Sequence, residues 1–197
     1  MSNVSLLDVQ VPADRFEIRL SGSGGQGLVL AAMLLAEAIG SDPAKSVIQT
    51  KSYGPEARGG ASKSDVVVST GEIYYQKALQ LDLLLAMTQE SLNKYYPDLK
   101  KGGTLVIDDT LVSKTPTDDY YGLSFTRIAK DQLKNVMVAN VISLGAIAAI
   151  TNVVPLDSLL KAVLARAPRG TEEVNRQAVE IGYQEGLALK QQKSATA

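Results

Sequence analysis

The sequence predicts an α/β fold: a Rossmann-like, doubly wound and mostly parallel sheet with helices on both faces and a helical C-terminal third. Three observations carry that prediction. A stretch alternating charged and apolar residues at 15–21 runs into the glycine turn Gly22-Ser23-Gly24-Gly25-Gln26-Gly27 and then into an apolar helical pattern. Short apolar runs bounded by turn residues go on alternating with helical patterns through the first two thirds of the chain. Beyond residue 138 only helical patterns remain.

Taken in order, residues 15–21 read as the first strand and residues 28–39 as the helix that follows the glycine turn. Gly40 and the pair Asp42-Pro43 end that helix, and residues 46–50 supply a second strand, giving the length of a βαβ unit. A parallel sheet is implied. Further strands are predicted over 65–69, 82–87 and 104–108, with a helix over 89–96 and a short strand over 123–127. Residues 138–154, 155–166 and 171–191 read as helices. The first of these is strongly apolar and close to the lower length limit for a membrane span, yet it contains Asn140, Ser143, Gly145 and Asn152. A buried helix is the better reading, because the small residues at 145–149 let another backbone approach.

The chain has 197 residues, enough for one substantial domain with its own core. It divides into an N-terminal arm over 1–14, a single α/β domain over 15–190 and a flexible tail over 191–197. Hydrophobic residues make up 45% and charged residues 21%, the balance of a globular protein. Lys and Arg total 20 against 21 for Asp and Glu, so the positive field that nucleic-acid binding requires is missing. There is no Cys and no His. That removes disulfides, Cys-ligated iron–sulfur clusters, Cys nucleophiles, His-containing triads and His-ligated metals. Residues 1–14 lack an apolar block after a basic start and do not read as a signal peptide, so the protein reads as cytoplasmic.

Two loops are candidates for binding, and no residue is a candidate catalyst or metal ligand. In Gly22-x-Gly24-x-x-Gly27, between strand and helix, glycines permit a tight turn that brings backbone N–H groups, Gly25 and Gln26 included, up to a phosphate at the positive end of the helix. The bland alternative is a turn serving only helix–strand packing. Nicotinamide dinucleotides call for an acidic residue at the end of the second strand, where this chain has Gln49, Thr50 and Lys51. The second loop, Ser52-Tyr53-Gly54-Pro55-Glu56-Ala57-Arg58-Gly59-Gly60, leaves the second strand at the carboxyl edge of the sheet. Arg58 beside Gly59 presents a guanidinium together with bare backbone, a suitable surface for a phosphate or carboxylate, unless it merely pairs with Glu56. Asn140 heads the apolar helix and either reaches a ligand or neighbouring subunit or caps the helix. Asp108 and Asp109 read as turn or cap residues. The tyrosine pairs 74–75, 95–96 and 120–121 suit wet interfaces or ordinary surface packing.

The glycine turn at 22–27, the loop at 52–60, Ser64-Asp65-Val66-Val67-Val68-Ser69 and the later segment 138–145 resemble, in this order, the gamma subunit of 2-oxoacid:ferredoxin oxidoreductases. The resemblance covers about residues 15–190 and is nearer to the 2-oxoglutarate enzymes than to the pyruvate ones. Tyr53-Gly54-Pro55-Glu56-Ala57-Arg58-Gly59-Gly60 is its specific part, the glycine motif alone being generic. It implies alpha and beta partner subunits and a ferredoxin-like subunit or ferredoxin, with thiamine diphosphate and iron–sulfur clusters in those partners. Together they would decarboxylate a 2-oxoacid, form the acyl-CoA and reduce ferredoxin. This chain would hold none of those redox groups; the resemblance implies a structural role with contact to coenzyme A through Gly22, Gly24, Gly25, Gln26, Gly27, Tyr53, Arg58, Gly59 and Asn140, or a role in closing the active-site region. The rival is a stand-alone nucleotide-binding oxidoreductase or regulatory domain built on the same turn.

Overall fold

The computed structural model describes residues 15–52 and 60–196. Strand β1 (Phe16–Ser23) leads through the glycine turn to helix α1 (Leu28–Gly40), then strands β2 (Ser46–Ser52) and β3 (Ala61–Ser69). Strand β4 (Leu81–Ala86), helix α2 (Gln89–Tyr95) and strand β5 (Leu99–Asp108) follow. A short strand β6 (Tyr121–Leu123) and helix α3 (Phe125–Asp131) come next, and helices α4 (Ala139–Thr151), α5 (Leu156–Arg166) and α6 (Glu172–Thr196) complete the chain.

The strands lie in the order β2-β3-β1-β4-β5-β6. From β1 to β6 the pairings are parallel, as predicted, but β3 is inserted antiparallel between β1 and β2. The expected side-by-side β1–α1–β2 unit is therefore split. Residues 53–60 are too few for the crossover of about a dozen residues that a parallel neighbour needs, so the chain must return antiparallel. Burial decides which strand lies inside: Val66 and Val67 of β3 are fully buried, whereas β2 is half-exposed and takes the edge. Because β1 and β2 still run in the same direction, both end at the same edge of the sheet.

Alternation along β4 separates two cores, with Leu83 and Leu85 facing one side and Leu84 and Ala86 the other. The first side is covered by α1 and by the helices from α3 onward, and the second by α2. Over β1 and β3 the second side is polar instead. Arg19, only 1% exposed, faces Asp65 across the strands and donates from Nε to Oδ1 at 2.7 Å and from Nη2 to Oδ2 at 2.9 Å. Burial works against its charge, but hydrogen bonds and attraction from Asp65 and Asp98 hold its pKa above the ordinary value. Burial lowers the pKa of nearby Lys63, which lies 3.8 Å from Asp65. At the start of β1, buried Arg15 donates to the carbonyls of Tyr75 and Lys77, while Glu17 accepts from the N–H groups of Leu79 and Gln80.

Helix α4 is buried from Ala139 to Ile150, inside the fold as its small residues implied. It crosses α6 at backbone contact: a Cβ on Gly182 would stand 1.9 Å from the carbonyl oxygen of Ile142, and one on Gly145 2.2 Å from that of Val179. No helix among the described residues is long and apolar enough to cross a membrane. Two expectations need correction. The strand predicted over 123–127 is a three-residue strand that ends at Leu123, after which Phe125, Ile128 and Ala129 bury at helical spacing in α3. The segment expected to fray as a tail continues α6 to Thr196, where Lys193 pairs with Asp119 and lies 4.1 Å from the centre of the Tyr121 ring.

Candidate functional site at the carboxyl edge of the sheet

The glycine turn stands at the carboxyl edge, where open α/β sheets bind ligands. It closes through the N–H of Gln26, which donates to the carbonyl of Ser23 at 3.4 Å, and through Gln26 Oε1, which accepts the N–H of Ser23 at 2.8 Å. Gln26 thus braces the turn with its oxygen and leaves its amide nitrogen for other partners. Gly27 takes the left-handed conformation, φ 72°, and starts α1. No side chain caps α1 and its first turn holds no acidic residue, so its leading N–H groups keep their positive field. Gly24 and Gly25 are exposed, and a Cβ on either would meet nothing within 4 Å. The outer surface of the turn is bare backbone.

Asn140 reaches this turn from the first turn of α4. Its Nδ2 donates to the carbonyl of Gly27 at 3.1 Å, an oxygen that also accepts the N–H of Ala31 at 2.9 Å. The capping alternative is not realised, because Val138 holds the cap position of α4. With Nδ2 committed to Gly27, Asn140 Oδ1 is left buried and without a hydrogen-bond partner among the described residues, and the whole residue is 4% exposed. A Cβ on residue 27 would lie 2.5 Å from Nδ2, so this contact and the glycine require each other.

Tyr53, Arg58 and Gly59 lie outside the described residues. The residues that flank their segment end beside the turn: Ser23 pairs with Ala61, and Ser52 with Lys63. Gln49 donates to the carbonyl of Val29 at 2.9 Å and to the hydroxyl of Ser64 at 3.1 Å. It ties α1 to the sheet and supplies no carboxylate for a ribose. Asp108 is a turn and cap residue as predicted, accepting the N–H groups of Thr110 and Thr126 at 3.0 Å each and the hydroxyl of Thr126. Asp109 accepts the hydroxyl of Ser124. Among the described residues no cluster of carboxylates is placed to hold a metal ion.

The fold adds residues that local patterns do not reveal. Gly25 and Gln26 form one side of a pocket of about 190 Å³ whose other walls are Met87, Leu111, Thr126, Val136, Met137 and Ala139. Met87 follows β4, Leu111 and Thr126 flank β6, and Val136, Met137 and Ala139 precede or open α4, so only the tertiary structure collects them. Their one sequence signal is the apolar run Val136-Met137-Val138-Ala139 that follows Lys134-Asn135.

The model of the family described as pyruvate ferredoxin/flavodoxin oxidoreductase matches residues 17–185, almost the whole fold. The chain belongs to this family. It is 47% identical over 174 residues to the 2-oxoglutarate synthase subunit KorC of Methanocaldococcus jannaschii, covering 86% of this chain and 93% of that subunit. Among solved structures, the keto/oxoacid ferredoxin oxidoreductase gamma subunit of Geobacter sulfurreducens superposes with a TM-score of 0.82 at 45% identity, over 90% of this chain and 99% of that one. The fold also occurs within a 2-oxoglutarate:ferredoxin oxidoreductase of Magnetococcus marinus solved with 2-oxoglutarate, coenzyme A and succinyl-CoA bound. There the TM-score is 0.76 at 22% identity, over 92% of this chain but only 32% of that chain. The resemblance read from the motifs therefore holds for family and subunit type alike.

Proposed function

We propose that this chain is the gamma subunit of a 2-oxoacid:ferredoxin oxidoreductase acting on 2-oxoglutarate in the cytoplasm, and that its glycine turn contributes a phosphate contact for coenzyme A. Family membership and the relation to KorC support the subunit assignment. One observation carries the ligand contact. The uncapped N-terminus of α1, fronted by bare Gly24 and Gly25, opens at the carboxyl edge of the sheet beside an Asn140 oxygen that has no partner. Tyr53, Arg58 and Gly59, whose segment begins and ends at that edge, complete the contact in this reading, with the Arg58 guanidinium as counter-ion.

The chemistry of the complex is divided. A chain without Cys or His does not fit the ligation of an iron–sulfur cluster. Decarboxylation on thiamine diphosphate and electron transfer to ferredoxin belong, in this reading, to alpha, beta and ferredoxin-like partners. This chain's residues bind and orient: N–H groups at the head of α1 attract the phosphate, and Gln26 and Asn140 hold the turn in shape. A stand-alone nicotinamide enzyme is disfavoured because β2, which ends in Gln49-Thr50-Lys51-Ser52, carries no carboxylate for a ribose and is separated from β1 by β3. The test is purification of the chain alone. It is expected to show no flavin or iron–sulfur absorption and no viologen-coupled oxidation of 2-oxoglutarate, with activity appearing only when partner subunits are added. Turnover by the single chain would overturn the assignment.

A further inference from the structure

We propose that the outer edge of β2 is the surface on which a second copy of this chain docks, β2 pairing antiparallel with its counterpart across a two-fold axis perpendicular to the sheet. β2 ends the sheet on its side, and among the described residues no strand lies beyond it. Alternate residues of such an edge strand turn their N–H and C=O groups outward unpaired, a template that sheets usually blunt with a very short strand, a proline, a bulge or charges. β2 has little of this protection. It pairs with β3 from Ser46 to Ser52 without a register shift, contains no Pro, and carries one charge, Lys51, next to its end.

The flanking helix makes the same surface self-complementary. Val29, Met33, Ala36 and Gly40 recur at helical spacing in one line along α1, and none of them is buried. Both ends of the line lie beside β2: the Val29 carbonyl accepts from Gln49 at 2.9 Å, and a Cβ on Gly40 would stand 3.9 Å from Cγ2 of Val47. A two-fold axis perpendicular to the sheet keeps both α1 helices on the same face. Pairing β2 with its counterpart therefore also sets the two apolar lines side by side and antiparallel, with Met33 near the axis. A strand from an unrelated protein would meet the edge but leave the helix line uncovered. Charge fixes the register. Centred on Gln49, the pairing puts Ile48 opposite Thr50 of the second copy and Lys51 opposite Val47. A shift of the centre to Ile48 would set Lys51 against Lys45, and like charges directly opposed across strands are destabilising. In this dimer the carboxyl edges of the two sheets face opposite ways.

The test uses the full-length chain, by sedimentation equilibrium and by cross-linking. Wild type is expected to sediment at twice the chain mass. Met33→Glu sets like charges across the axis and should raise the dissociation constant of the dimer at least about tenfold, with an unchanged far-ultraviolet spectrum. An equimolar mixture of Met33→Glu and Met33→Lys chains should dimerise again, which a folding defect would not allow. Because the sequence has no cysteine, Met33→Cys gives a single reactive position: a short bis-maleimide should link two such chains, while Tyr74→Cys, 82% exposed on the loop after β3, should stay unlinked. This cross-link decides the matter alone if Met33→Glu fails to fold. A monomeric wild type overturns the proposal. So does a dimer that a folded Met33→Glu leaves intact, or one that links through Tyr74→Cys and not through Met33→Cys, since either places the contact on another surface.

Discussion

Gly24 separates the proposed binding role of the turn from its structural role. Its backbone is unstrained and a Cβ there would meet nothing, so Gly24→Ala should be nearly silent. Gly24→Asp puts a carboxylate at the head of α1, where it acts as an anion bound to the helix and stabilises the fold by about 0.3–1 kcal/mol. The same carboxylate competes with a ligand phosphate, and loss of one charge-assisted contact of roughly 1.5–3 kcal/mol raises the KM for coenzyme A by about one to two decades. Thermal stability and ligand affinity thus move in opposite directions. Steady-state kinetics of the complex beside a thermal melt measure both, and a variant that loses stability without a change in KM would make the turn a packing device. At this scale the sequence was informative wherever the motif is contiguous. Gly22 to Gly27 announced themselves through spacing. Asn140 stood out as a polar residue heading an apolar helix, but its partner, the carbonyl of Gly27, is 113 positions away and no local pattern names it.

Among the elements, the contact between α4 and α6 is the one most exposed to a single substitution. In Gly182→Ala the added methyl meets the backbone of Ile142, which no side-chain rotation relieves. Overpacking of this kind costs about 1–3 kcal/mol, against a gain of about 1 kcal/mol from better helix propensity. Because the contact is to backbone carbonyl, the loss should win, and denaturant unfolding of the purified chain should show a net decrease in stability. An unchanged or higher midpoint would mean that α6 docks more loosely than the structure shows. Burial of α4 was legible because an apolar run interrupted by small residues has few other uses. The place of β3 was not. Val66-Val67-Val68 signals a strand buried on both faces, but its insertion next to β1 follows from the shortness of residues 53–60 and from competition with β2 for the inner position. Residues 123–127 were misread because alternation over so short a window looks the same for a strand end and a helix start, although Phe125, Ile128 and Ala129 already carried the helical spacing.

For the whole molecule, the sequence conveyed the fold class and the family. The described residues build one six-stranded sheet with a core on each face, and the sequence has no Cys or His to offer thiol or imidazole chemistry. What it could not convey was the apolar pocket, which exists only where separate segments meet at one sheet edge. The central claim is that coenzyme A, and not the 2-oxoacid, is recognised at that edge. Hydrogen–deuterium exchange on the assembled complex tests it most directly, because the leading N–H groups of α1 have no intrahelical partner and no side-chain cap, so that a ligand bound to them slows their exchange. The account predicts slower exchange across residues 22–30 when coenzyme A is added and no change there with 2-oxoglutarate. Unchanged exchange with coenzyme A, or protection by 2-oxoglutarate instead, would contradict it.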